Sequence, residues 1–93
     1  MILMEERHLQ IVRNILSKYP YKFYAFGSRV TGNAKKFSDL DLCYKESIPD
    51  NIVSHIEGEF EDSDLPFKID LLSWERCLPE FRKTIDSQLT LIA

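Results

Sequence analysis

The sequence predicts an α/β fold with a three- or four-stranded sheet flanked by helices, and three observations carry that expectation. Apolar residues change repeatedly between helical spacing and short strand-like runs, in the order helix, strand, short helix, strand, helix, strand, helix. All four prolines, Pro20, Pro49, Pro66 and Pro79, stand at the junctions between runs. A chain of 93 residues with 44% hydrophobic content fits one compact domain over residues 1–93, with a core that needs neither metal nor disulfide staples.

The elements follow in order. Leu9, Val12 and Leu16, with Ile11 and Ile15 beside them, predict an amphipathic helix over about residues 4–18, which Tyr19-Pro20 closes. Tyr21 to Phe26 is aromatic-rich and stops at Gly27-Ser28, the pattern of a strand entering a turn. A short helical turn and a loop fit Ser28 to Ser38, and Leu40 to Tyr44 reads as a second strand. Pro49 opens a helix over about 49–61 that carries Ile52, Val53, Ile56 and Phe60. Phe67 to Leu72 is a third strand, and Pro79 starts a last helix carrying Phe81, Ile85 and Leu89. The tail residues Leu89, Leu91 and Ile92 either finish the core or form an apolar interface.

Bulk properties exclude several function classes. With 12 basic and 15 acidic residues and a formal charge of −3, no broad phosphate-neutralising surface for nucleic acid is expected. Met1 to Met4 is too short an apolar run for a signal peptide or a membrane span, which points to a cytoplasmic protein. Cys43 and Cys77 lie 34 positions apart without zinc-ligand spacing and read as free thiols.

The chemistry concentrates between Gly27 and Asp70. Ten residues after Gly27-Ser28 comes Asp39-Leu40-Asp41, and strand alternation would project both carboxylates from one surface, about 7 Å apart. Like charges at that spacing call for a cation, and Asp70, alone in the apolar run from Phe67 to Leu72, offers a third carboxylate. Three convergent acids suit a two-magnesium site that clamps the attacking and leaving oxygens of an in-line phosphoryl displacement. Gly27 permits close backbone approach, Ser28 can donate its hydroxyl and amide to phosphates, and Arg29 adds a charged donor. Gly-Ser with Asp-x-Asp at this separation should occur by chance in roughly one chain in a thousand.

Simpler roles stand beside these. Asp39 could be a solvated acid at a strand end, Ser28 could cap the short helix, and Arg29 could pair with Asp39 or Asp41. Cys43 shares the face of Asp39 and Asp41 by strand alternation and suits the floor of a site better than a magnesium ligand. The acids Glu57, Glu59, Glu61, Asp62 and Asp64 read as a solvated helix end, or as a surface for a basic partner. His8 and His55 lack catalytic partners nearby in sequence.

Gly27-Ser28, ten residues, Asp39-Leu40-Asp41 and a later strand with Asp70 resemble the signature of the DNA polymerase beta-like nucleotidyltransferase superfamily. Within it, Gly27-Ser28-Arg29-Val30-Thr31-Gly32 and Ser38-Asp39-Leu40-Asp41-Leu42 resemble the minimal nucleotidyltransferase family. The resemblance covers about residues 20–72 and implies a small mixed sheet flanked by helices, the superfamily's fold. It implies Asp39 and Asp41 as metal ligands, Asp70 as third ligand or base, and Gly27 and Ser28 on the phosphates of a nucleoside triphosphate. Members of that family are often antitoxins encoded beside HEPN-domain toxins, and some add AMP to a toxin tyrosine. The expected function is therefore magnesium-dependent AMP transfer from ATP to a hydroxyl of a HEPN-type toxin. The rivals are an antitoxin that neutralises by complex formation with little catalysis, and a small-molecule nucleotidyltransferase. Against the latter, so short a chain leaves little from which to build an acceptor pocket.

Overall fold

The computed structural model describes residues 2–92. The elements are α1 (Glu6–Leu16), β1 (Tyr24–Phe26), α2 (Ser28–Thr31), β2 (Leu40–Tyr44), α3 (Asp50–Glu61), β3 (Ile69–Ser73), α4 (Pro79–Asp86) and β4 (Thr90–Leu91), with a 3-10 turn at Trp74–Arg76. The sheet order is β3-β2-β1-β4, and β1 runs antiparallel to both β2 and β4 while β2 and β3 are parallel. The expected small mixed sheet is therefore present, with the larger of the two expected strand numbers.

Burial explains which face of each strand points where. Leu40, Leu42 and Tyr44 of β2, with Phe23 and Ala25 from the β1 side, pack against Val12, Ile15 and Leu16 of α1 and Ile56 and Phe60 of α3. Residues at odd positions between them face the other way: Cys43 joins Phe26 and Ile85 in a smaller cluster beneath α4. One side of the sheet is thus the main core, and the other is only partly roofed. α1 and α3 are further tied by Glu59, which accepts from Lys18 and from the Tyr19 hydroxyl. Glu59 is thereby an interhelical partner, unlike Glu57 and Glu61, which remain exposed.

Several boundaries differ from expectation. The first strand begins at Tyr24 and not Tyr21, and the third runs from Ile69 to Ser73. The last helix ends at Asp86, so Leu89 lies in a turn, and Thr90–Leu91 adds an edge strand against β1. Backbone pairing decides this: the Ile92 amide donates to the Phe23 carbonyl at 2.9 Å, which draws the tail along β1. Of the tail residues, Ile92 finishes the core and Leu91 is half exposed.

Candidate active site

The site is built where three strands present one row of side chains. Phe26 on β1 stands opposite Asp41 on β2, and Asp41 stands opposite Asp70 on β3. Adjacent strands lie about 4.8 Å apart, so the two carboxyls are neighbours on the less covered face. Burial first, then the charges of Asp70 and Asp39, then a hydrogen bond to Asp70 push the Asp41 carboxyl up to about 6. Among the described residues no basic side chain forms an ion pair with Asp41 or Asp70, as suits a cation-binding carboxylate set.

Asp39 stands just outside the strand, where the alternative of a solvated strand-end acid would place it. β2 begins at Leu40, so Asp39 precedes the strand and is exposed, acting on Asp41 through its charge. Among the described residues, no three His, Cys, Asp or Glu side chains are arranged to enclose a metal by themselves. That arrangement still fits magnesium, which is commonly held by one or two carboxylates together with substrate phosphates. The hard-oxygen donors Asp41 and Asp70, uncompensated and side by side, are the residues that would hold it.

Gly27 explains why the turn before α2 lies against this pair. Its φ is +82° and ψ is −155°, a conformation open essentially to glycine alone. A Cβ placed there would meet Asp41 Oδ2 at 2.5 Å, so a larger residue would displace the carboxylate as well as strain the chain. Gly27 is the N-cap and Ser28 the first residue of α2, with no side-chain cap. The simpler capping role for Ser28 is therefore not the one seen. Gly32, with φ +94°, ends the helix in the left-handed conformation.

Arg29 is a correction. Its side chain is buried and turned away from the phosphate side of the turn: Nε and Nη2 donate to the Ser38 carbonyl at 2.9 and 2.8 Å. Nη1 donates to the Leu3 carbonyl at 2.7 Å and Nη2 also to the Lys36 carbonyl at 3.2 Å, while Cζ sits 4.1 Å from the Phe67 ring centre. The anticipated nucleotide contact is replaced by a structural one, because four carbonyl contacts and an aromatic face already occupy the guanidinium. Nor does Arg29 pair directly with Asp39, which acts on it only through its field. What Arg29 does is fix the loop whose last residues are Ser38 and Asp39. Lys35 N–H and the Ser38 hydroxyl close the same loop at 2.8 Å.

Cys43 is fully buried beneath the row, and burial pushes its thiol up to about 11, so it is a floor residue as anticipated. Sequence reasoning missed Gln88, whose Oε1 accepts the Gly27 N–H at 2.9 Å across 61 positions. No local pattern signals such a contact. It also missed a groove of about 790 Å³ at the β3 edge, lined by Phe37, Asp39, Glu57, Leu65 and Asp70 among others. The groove runs between the β3 edge and α3 and reaches Asp39 and Asp70.

Comparison with known proteins identifies the family. The family model described as polymerase beta, nucleotidyltransferase, matches residues 10–93. A Haemophilus influenzae protein named "Probable protein adenylyltransferase MntA" is 40% identical over 86 residues, spanning 88% of this chain and 75% of that protein. No helix among the described residues is long and apolar enough to cross a membrane. With the paired carboxylates beside a Gly-Ser turn and both matches in agreement, the chain belongs to the minimal nucleotidyltransferases of the polymerase beta-like superfamily and is a nucleotidyltransferase.

Proposed function

We propose that this protein transfers AMP from ATP, with magnesium, to a hydroxyl of a HEPN-type toxin in the cytoplasm and so acts as an antitoxin. The observation that carries the reading is the Asp41–Asp70 pair set against the Gly27-Ser28 turn. A protein acceptor is supported by the name of the Haemophilus influenzae relative, a probable protein adenylyltransferase. Asp41 and Asp70 would hold magnesium, which would supply charge neutralisation to the reacting phosphate oxygens. Ser28, at the free end of α2, offers its amide and hydroxyl to the triphosphate on the β1 side of the row. In-line displacement sends the leaving pyrophosphate and the incoming hydroxyl to opposite sides of the α-phosphorus. The acceptor accordingly approaches from the β3 side, where the groove opens and where Asp70 can orient the hydroxyl or take its proton. That groove also supports a second reading, a small-molecule acceptor, and the two are separated by incubating the protein with labelled ATP and its genetic neighbour's product.

ATP and magnesium together should stabilise the fold more than either alone, because phosphates and carboxylates complete one metal shell. At about 100 times the dissociation constant, mass action gives roughly 2.7 kcal/mol. Melting curves with each ligand and with both measure this; additive shifts, or none at millimolar ligand, contradict the reading.

Ser28→Ala should weaken triphosphate use by roughly 1–3 kcal/mol and leave the melting temperature nearly unchanged, since the hydroxyl caps nothing. Transfer kinetics equal to wild type would remove Ser28 from the site.

A further inference from the structure

The N–H of Gly27 is already bonded, and to a residue that no functional motif of this chain includes. Gln88 Oε1 accepts it at 2.9 Å in a partly buried setting. At its other end Gly27 is equally fixed, because its carbonyl accepts the amides of Val30 and Thr31, each at 3.0 Å. A glycine at φ +82° has no side chain to hold its peptide planes, and on its own it samples more conformations than any other residue. Fixing both planes determines where the next amide and the Ser28 hydroxyl point.

Gln88 is itself well placed for that task. Its main-chain N–H donates to the Ile85 carbonyl at 2.9 Å, its main-chain carbonyl accepts the Thr90 hydroxyl at 3.1 Å, and its side-chain Nε2 donates to the Thr84 carbonyl at 3.4 Å. Ile85 is buried with Phe26 and Cys43, so the anchor of Gln88 is the floor beneath the row that carries Asp41. The chemistry of the acceptor also matters. A neutral amide oxygen satisfies the Gly27 donor without adding charge, where a carboxylate would stand as one more anion close to Asp41 and the triphosphate.

We propose that Gln88 is a positioning residue for nucleotide binding: it holds the Gly27 peptide so that Ser28, and not Gly27, presents donors to the triphosphate. The proposal rests on the reading that the Gly27-Ser28 turn receives the triphosphate. It makes the segment after α4 part of the nucleotide site without contact to the nucleotide, and it assigns Gly27 the role of giving room to Asp41.

The test compares wild type with Gln88→Met, which keeps length and removes the acceptor, by calorimetric titration with magnesium and α,β-methylene-ATP. The expected result is about a tenfold rise in dissociation constant with an unchanged number of sites per chain, since one hydrogen bond and the alignment it imposes are lost. A residue that only stabilised the fold would lower the melting temperature and the number of sites and leave the constant alone; a constant within twofold of wild type overturns the proposal. Should Gln88→Met fail to fold, hydrogen exchange of the Gly27 amide in the wild-type chain decides. Protection without nucleotide that persists on adding the analogue supports Gln88 as the partner, whereas an amide that exchanges freely until the analogue is added overturns it. If the wild-type chain binds no analogue, the nucleotide reading itself falls and the proposal with it; if wild type binds and Gln88→Met binds equally, only the proposal falls.

Discussion

Asp41→Asn is expected to lower nucleotide transfer about a thousandfold or more, and in chelator to make the protein more stable at neutral pH. The rate loss follows from removing an anionic ligand from the reacting centre, an effect of several kcal/mol on the barrier. The stability gain follows from the folded-state position of the carboxyl, which burial and its two acidic neighbours push up to about 6. An acid raised above its unfolded value of about 4 favours the folded state while protonated, and that benefit is lost as pH rises through 6. Without metal, wild type should therefore lose about 1–3 kcal/mol between pH 4 and 7 from this group, and Asp41→Asn should not. Melting curves of both proteins in chelator across that range check the sign. A variant that is less stable than wild type at pH 7 yet still active would mark Asp41 as a structural acid.

Arg29→Met should act in the opposite sense, with a large loss of stability. The substitution leaves the Ser38, Leu3 and Lys36 carbonyls without their charged donor and removes a cation from the Phe67 face. Losing several charge-assisted bonds and the aromatic contact should cost about 2–4 kcal/mol, or a fall in Tm of roughly 10–20 °C. Nucleotide affinity of the molecules that remain folded should change little, because the guanidinium faces the loop and the N-terminal segment. An unchanged Tm with strongly weakened ATP binding would restore Arg29 to the phosphates.

These two residues also show what a sequence can and cannot reveal. Asp41 was legible because its meaning is local: a carboxylate between leucines in a five-residue strand, at fixed distance from a Gly-Ser turn. Asp70 was legible for the same reason, and the parallel register of β2 and β3 then sets it opposite Asp41. Asp39 lies one residue before the strand read over Leu40 to Tyr44, where strand alternation does not fix the direction of a side chain; the Leu40 amide makes the first bond, to the Lys68 carbonyl at 2.9 Å. Arg29 was misassigned because its partners, Leu3, Lys36, Ser38 and Phe67, converge only after folding. A charged residue one step beyond a Gly-Ser turn looks the same in sequence whether it faces phosphate or carbonyl.

The fold divides in the same way. α3 and β2 were read almost to the residue, since periodicity and a flanking proline bound each end of the helix and apolar neighbours bound the strand. The edge strand β4 was not, because two residues carry no period and only the Phe23 carbonyl and the Tyr24 and Ala25 pairings define it. Its position nonetheless matters to the site, for it fixes the turn from which Gln88 reaches Gly27.

The proposed reacting centre at Asp41 and Asp70 is tested most directly by following two labels in parallel reactions with magnesium and the proposed acceptor, a toxin encoded by a neighbouring gene: ATP labelled at the α-phosphate and ATP labelled at the γ-phosphate. Nucleotide transfer through this site predicts that the α-label becomes attached to the toxin and the γ-label leaves in pyrophosphate, and that Asp41→Asn and Asp70→Asn each abolish attachment while remaining folded. Retention of the γ-label on the toxin, or α-label attachment that survives in both folded variants, would contradict it.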